Sequence, residues 1–273
     1  MLVPRIRSSV PALLLGTFCA LSMYAQDAMQ LSEEAMRDFL LNAKVISSKP
    51  ASKGITGVQR LTLSDGKLTH DASFQSIDES KPKMELFSGQ TEINFRDSYK
   101  FNIAAFELAK LLGLGDMMPV TVERRWEGKT GSLSWWLPVM MDEAQRMKKK
   151  ISPQDTAAWN EQMHKMRVFS QLVYDTDRNL GNVLISEKWH LWMIDFSRAF
   201  RRYTTLENVK NLERCDRKLL EALRQLKASD VEKATKKWLD QMEIGGIMAR
   251  RDKIVAVFEK LIAQKGESAV LYE

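Results

Sequence analysis

Residues 173–200 read Val-Tyr-Asp-Thr-Asp-Arg-Asn-Leu-Gly-Asn-Val-Leu-Ile-Ser-Glu-Lys-Trp-His-Leu-Trp-Met-Ile-Asp-Phe-Ser-Arg-Ala-Phe. They set Asp177 and Asn182 five positions apart, follow Asn182 with two short apolar runs at 183–186 and 191–194, and close the second run with Asp195. A hairpin built from those runs would fix the distance between the polar groups at its ends. A polyphosphate and its divalent ions need oxygen ligands on rigid supports, converging from two sides. In such a centre Asp177 would hold an acceptor hydroxyl, and Asn182 and Asp195 would hold the ions. The competing structural reading makes Asp177 and Asn182 turn formers and Asp195 a helix cap.

Asp177-Arg178-Asn179-Leu180-Gly181-Asn182 resembles the Asp-Arg-His-x-x-Asn catalytic loop of phosphatidylinositol 3/4-kinases and of the bacterial HipA-type toxin kinases, and Ile194-Asp195-Phe196 resembles their metal-binding Ile-Asp-Phe-Gly. An Asp-x-x-x-x-Asn match alone is weak. The conjunction is stronger, because Arg178 follows the first Asp, an apolar strand follows the Asn, and a second strand delivers Asp195 at the right separation. The resemblance implies an α+β, two-lobed, protein-kinase-like fold, with a small β-rich lobe carrying one main helix and a larger, mostly helical lobe. It also implies ATP as donor, Mg2+ or Mn2+ as cofactor and a hydroxyl-bearing acceptor. Asp177 would be catalytic, with Arg178 buried in the loop against carbonyls or an acidic partner. Asp175 would cap the preceding helix or assist a metal.

The surrounding patterns agree with that order of elements. Trp159, Met163, Met166, Phe169 and Leu172 recur every three to four residues, so 156–174 reads as an amphipathic helix leading into the loop. His164 lies beside that stripe with no second His or Cys nearby, as a packed or surface histidine does. Upstream, alternation about Ser64-Asp65-Gly66 signals a β-hairpin. In its second strand Leu68, His70, Ala72 and Phe74 share one face and Lys67, Thr69, Asp71, Ser73 and Gln75 the other. Residues 78–98 are polar and read as loop. A helix is expected over 101–114, then strands over 120–125 and 132–139 joined by the turn at 127–131. By the same resemblance Met140-Met141-Asp142-Glu143 would form the connector between lobes, where backbone groups meet the adenine; the competing reading makes Met140 and Met141 core filler. From Leu206 onward, apolar residues such as Leu219, Leu220, Leu223 and Leu226 keep helical spacing. The resulting division is 1–25 signal peptide, 26–53 helical or linker segment, 54–141 small lobe and 142–273 large lobe.

Departures from the family pattern are concentrated at the phosphate end. Kinases place a strand lysine on the phosphates and pair it with a helix glutamate. Here the strand in the best register carries Gln75, the helix position carries Asn102, and Glu107 lies five residues further on. Lys67, on the face of Gln75, or Lys81, Lys83 or Lys100 would have to supply the charge. No Gly-x-Gly-x-x-Gly loop occurs, and Gly54-Ile55-Thr56-Gly57 is the nearest glycine-bearing stretch. Ser197 stands where the metal-binding motif has Gly. Arg198, Arg201 and Arg202 would make a basic patch at the cleft mouth, either solvated or receiving an acidic substrate.

The first residues carry a different signal. Arg5 and Arg7 precede an apolar run over 10–21 and then small residues, the pattern of a cleaved export signal, with sites after Ser22 or Ala25. The run is shorter than the ~20 residues a comfortable membrane span needs, so no integral segment is expected after cleavage and the mature chain would be periplasmic or extracellular. Only Cys215 would remain beyond Cys19, which excludes an intramolecular disulfide. Loss of Arg5 and Arg7 lowers the formal charge from +6 to +4, and with only short basic clusters such as Lys148-Lys149-Lys150 no nucleic-acid partner is expected.

Overall fold

A computed structural model describes residues 31–51, 57–85, 89 and 91–273. The export signal over 1–25 and most of the 54–57 glycine stretch lie outside the described residues. Helix α1 (Glu33–Asn42), capped by Ser32, precedes strand β1 (Lys44–Pro50). The segment expected to be helix and linker therefore also supplies an edge strand, paired antiparallel with β2 (Gln59–Ser64). β2 turns into β3 (Thr69–Gln75) at the predicted place. Asp65 makes that turn by accepting from the amides of Lys67 and Leu68 at 2.8 and 2.7 Å. Leu61, Leu63, Ala72 and Phe74 alternate into the core, each large side chain contributing about 1.5–3 kcal/mol on burial.

Residues 78–98, expected as loop, form a second hairpin of β4 (Asp78–Glu85) and β5 (Thr91–Ser98). Their polarity has a physical reason: almost all of β4 and half of β5 face solvent, so no apolar alternation marks them. β5 runs directly into α2 (Tyr99–Leu111), whose cap is Ser98. α2 buries Phe101, Ile103, Phe106 and Leu108 and packs against β6 (Thr121–Trp126) and β7 (Lys129–Trp135), which complete a five-stranded sheet in the order β1-β2-β3-β7-β6. β3 and β7 approach so closely that a side-chain carbon at Gly131 would strike the Gln75 carbonyl oxygen and sit 2.8 Å from the Phe74 ring.

The connector ends in β8 (Met141–Asp142), which pairs with β9 (Val183–Ile185) of the large lobe, and the Met140 amide donates to the Ile185 carbonyl at 2.9 Å. β9 and β10 (Leu191–Met193) form the predicted hairpin. Between connector and hairpin lie α3 (Glu143–Lys148), opened by a reciprocal Asp142–Gln145 capping box, and α4 (Thr156–Val173), the predicted long helix. β11 (Cys215–Asp216), α5 (Arg217–Gln225), α6 (Ala228–Thr235), α7 (Gln241–Lys265), α8 (Glu267–Val270) and β12 (Leu271–Tyr272) finish the large lobe. One continuous apolar core runs through both lobes. Among the described residues no helix is long and apolar enough to cross a membrane.

Candidate active site

Arg178 organises the loop after α4. Its guanidinium holds the Asp175 carboxylate through Nε at 2.7 Å and Nη2 at 2.5 Å, and donates to the carbonyls of Asn182 at 2.9 Å and Ile194 at 2.8 Å. It also lies 4.2 Å from the centre of the Phe196 ring. One side chain thus ties the loop to both ends of the hairpin. Asp175 is fully buried at its carboxylate and accepts from the Asp177 amide at 3.1 Å, so its side chain braces the loop that follows rather than capping the helix before it. Asn182 donates its amide to the Asp177 carbonyl at 3.1 Å, leaving its carboxamide oxygen free of that bond, and the Asn182 carbonyl accepts from the Ile194 amide. The Asp177 side chain stays partly exposed, touched by the Asn179 amide at 3.3 Å.

Asp195 follows β10 with φ +56°, a left-handed conformation uncommon for a non-glycine residue. Its Oδ1 is shut off from solvent and has no hydrogen-bond partner. Burial raises the Asp195 carboxyl above its ordinary range, the Asp97 charge adds to the rise, and Ser197 and Arg178 oppose it. A buried carboxylate oxygen without a donor fits a divalent ion, as do the hard oxygen donors around it. No group of three or more His, Cys, Asp and Glu side chains converges among the described residues, so neutral oxygens would have to complete any shell.

Between the sheet, the connector and the hairpin lies a cleft of about 500 Å3. Gln75, Asn102, Met140, Met141, Asn182 and Asp195 all line it. Met141 is buried while Met140 is 44% exposed at the rim. Lys67 is not among the lining residues, since it stands on the exposed tip of the β2–β3 turn. Lys81 and Lys100 are engaged with Glu79 and Asp78, and no Lys or Arg lines the cleft among the described residues. Gln75 and Asn102 form a neutral pair: the Asn102 amide donates to Gln75 Oε1 at 2.5 Å. Asn102 Oδ1 in turn accepts from the Phe196 amide at 2.7 Å, so α2 grips the backbone next to Asp195 without any charge.

Of the arginines after Asp195, Arg202 is exposed, but Arg198 and Arg201 are not solvated. Arg198 and Arg201 both pair with Glu92 of β5 at 2.5 Å, and Arg201 also donates to the Arg96 carbonyl. Arg202 pairs with Asp240, and Arg96 with Glu243 at the start of α7. The β4–β5 hairpin therefore clamps the segment after Asp195. Sequence reasoning missed Glu92 and Asp97 because their strand, within 78–98, read as loop. His164 is a packed histidine, buried against Tyr272 with its pKa lowered by burial.

No protein-family model matches the chain, and no curated protein does. Solved structures do. A hydra Fam20, determined with sugar, matches with a TM-score of 0.67 at 15% identity, covering 88% of this chain and 92% of that one. The Helicobacter pylori proinflammatory kinase CtkA matches with a TM-score of 0.47 at 11% identity, over 83% of this chain and 98% of that one. The chain has the α+β, two-lobed, protein-kinase-like fold.

Proposed function

We propose that the protein is an ATP-dependent phosphotransferase, moving a phosphoryl group from ATP, with Mg2+ or Mn2+, to a hydroxyl of its acceptor. The observation that carries this reading is the unpartnered Oδ1 of Asp195 beside Asn182 in a cleft between two lobes. Asn182 and Asp195 would hold the ion, which neutralises phosphate charge when bound. Asp177, partly exposed in the loop and fixed through its backbone by Asp175 and Asn182, would accept the proton of the acceptor hydroxyl. Gln75, Met140 and Met141 would contact the nucleotide. The loop and strand motifs give the chain its likeness to phosphatidylinositol-kinase and HipA-type cores.

With no cation from the described lining residues, nucleotide binding should require metal. Isothermal titration of the chelator-treated protein is expected to give ATP binding only with Mg2+ or Mn2+ present. Equal affinity without metal would remove Asn182 and Asp195 from the proposed role. The neutral Gln75–Asn102 pair favours a second reading, a pseudokinase working through protein contacts. Metal-dependent binding without any turnover would select it.

The mature chain is proposed to act outside the cytoplasm, periplasmic or extracellular, on the strength of Arg5, Arg7 and the apolar run that follows. N-terminal sequencing of the native protein should find a start between Met23 and Asp27. An intact Met1 in the membrane fraction would mean a retained anchor instead.

A further inference from the structure

Asp97 is the next-to-last residue of β5, immediately before Ser98, the cap of α2, and is 6% exposed. Its Oδ1, like that of Asp195, is sealed from solvent and has no hydrogen-bond partner. The Ser98 amide donates to the Ser197 carbonyl at 2.8 Å, which holds the end of β5 against the segment carrying Asp195. That bond brings Asp97 to the backbone of Ser197, two residues beyond Asp195. The nearby guanidinium groups have acidic partners, Arg198 and Arg201 with Glu92 and Arg178 with Asp175, while Nε of Arg198 and of Arg201 makes no hydrogen bond. Two carboxylates thus flank one serine, each with a sealed oxygen that no donor serves. Leaving such an oxygen unserved costs free energy that a bound cation would recover.

We infer that Asp97 is a ligand of the divalent ion held by Asp195, so that the ion joins the small lobe to the large one through one carboxylate from each. The inference rests on the phosphotransferase reading for the ion at Asp195 and adds a ligand that the catalytic-loop motif does not contain. With two carboxylates present, the other coordination positions fall to neutral oxygens such as the Asn182 carboxamide, to water and to phosphate.

The test is Mn2+ titration of the full chain, followed by the electron paramagnetic resonance signal of free Mn2+, with and without a non-hydrolysable ATP analogue. Asp97→Asn is expected to weaken Mn2+ binding about 10-fold or more, the scale on which loss of metal-site partners acts. Its melting temperature without metal should stay level or rise, because one of two neighbouring buried charges is gone. Asp97→Glu, which keeps a carboxylate, should retain clearly tighter binding than Asp97→Asn. Unchanged Mn2+ affinity in Asp97→Asn beside a loss in Asp195→Asn would overturn the inference and leave the phosphotransferase reading standing. Equal loss in the Asn and Glu variants, with a lowered metal-free melting temperature, would also overturn it and make Asp97 a packing residue. Absence of Mn2+ binding by the wild type under both conditions would overturn the inference and the reading together.

Discussion

Asp177→Asn should lower turnover by about 10²-fold or more while leaving metal–nucleotide binding near the wild-type value, because a general base acts on the acceptor proton and not on the donor. Asp195→Asn should weaken the binding itself. The two aspartates are separated by the hairpin and held by different contacts, so their defects should differ in kind. Neither substitution should unfold the protein. Burial already raises the Asp195 carboxyl, which means that its charged form disfavours the folded state, and an uncharged amide relieves that cost. The measurements are ATP hydrolysis or label transfer into a host extract, with melting curves for all three proteins. If wild type and both variants bind nucleotide equally and none turns it over, the catalytic reading fails and a binding module replaces it.

Arg178→Met is expected to produce the largest loss of stability, about 3–5 kcal/mol, the usual consequence of stranding one partner of a buried ion pair. The Asp175 carboxylate has no exposed surface, and removing the guanidinium also leaves the Ile194 carbonyl without its donor and the Asn182 carbonyl with the Ile194 amide as its remaining one. Urea denaturation of the variant, set beside the Arg178→Met/Asp175→Asn double variant, separates the two contributions. The double variant should recover a good part of the loss, since the stranded charge is gone. A single-variant cost under about 1 kcal/mol, the value of an exposed pair, would show that Arg178 does not hold the loop together.

The sequence was most readable where burial imposes a period. The β2–β3 hairpin and α4 each present one face to the core, and that face writes itself into the spacing of Leu61, Leu63, Ala72 and Phe74, or of Trp159, Met166 and Phe169, while α2 and β10 are buried on most sides and read as apolar runs. The β4–β5 hairpin wrote nothing, because solvent accepts any polar residue there. Its partners were misread for the same reason: Arg198 and Arg201 look like surface charges until Glu92, about a hundred residues earlier, is known to face them. The loop residues fared differently. Asp177, Asn182 and Asp195 were singled out by chemistry and spacing, and the fold brings Asn182 and Asp195 to one cleft. Lys67 sits on the face of Gln75 by alternation but a turn away in space, since alternation fixes which side a residue takes and not how far along the strand the cleft extends. Asp97 could not be found by pattern at all, because its convergence with Asp195 depends on how two distant strands end.

The Glu92 clamp has a bearing on how the lobes can move relative to each other. A pair of lobes linked by one connector can swing like a jaw. Here β8 pairs with β9 on the connector, and β5 pairs through Glu92 and Arg96 with Arg198, Arg201 and Glu243 at a separate place. Arg201 and Glu243 are almost wholly buried, so salt screens these contacts poorly. The molecule is a box hinged along one edge and latched at another, and traffic through the cleft has to pass by its open rim while the latch stays shut.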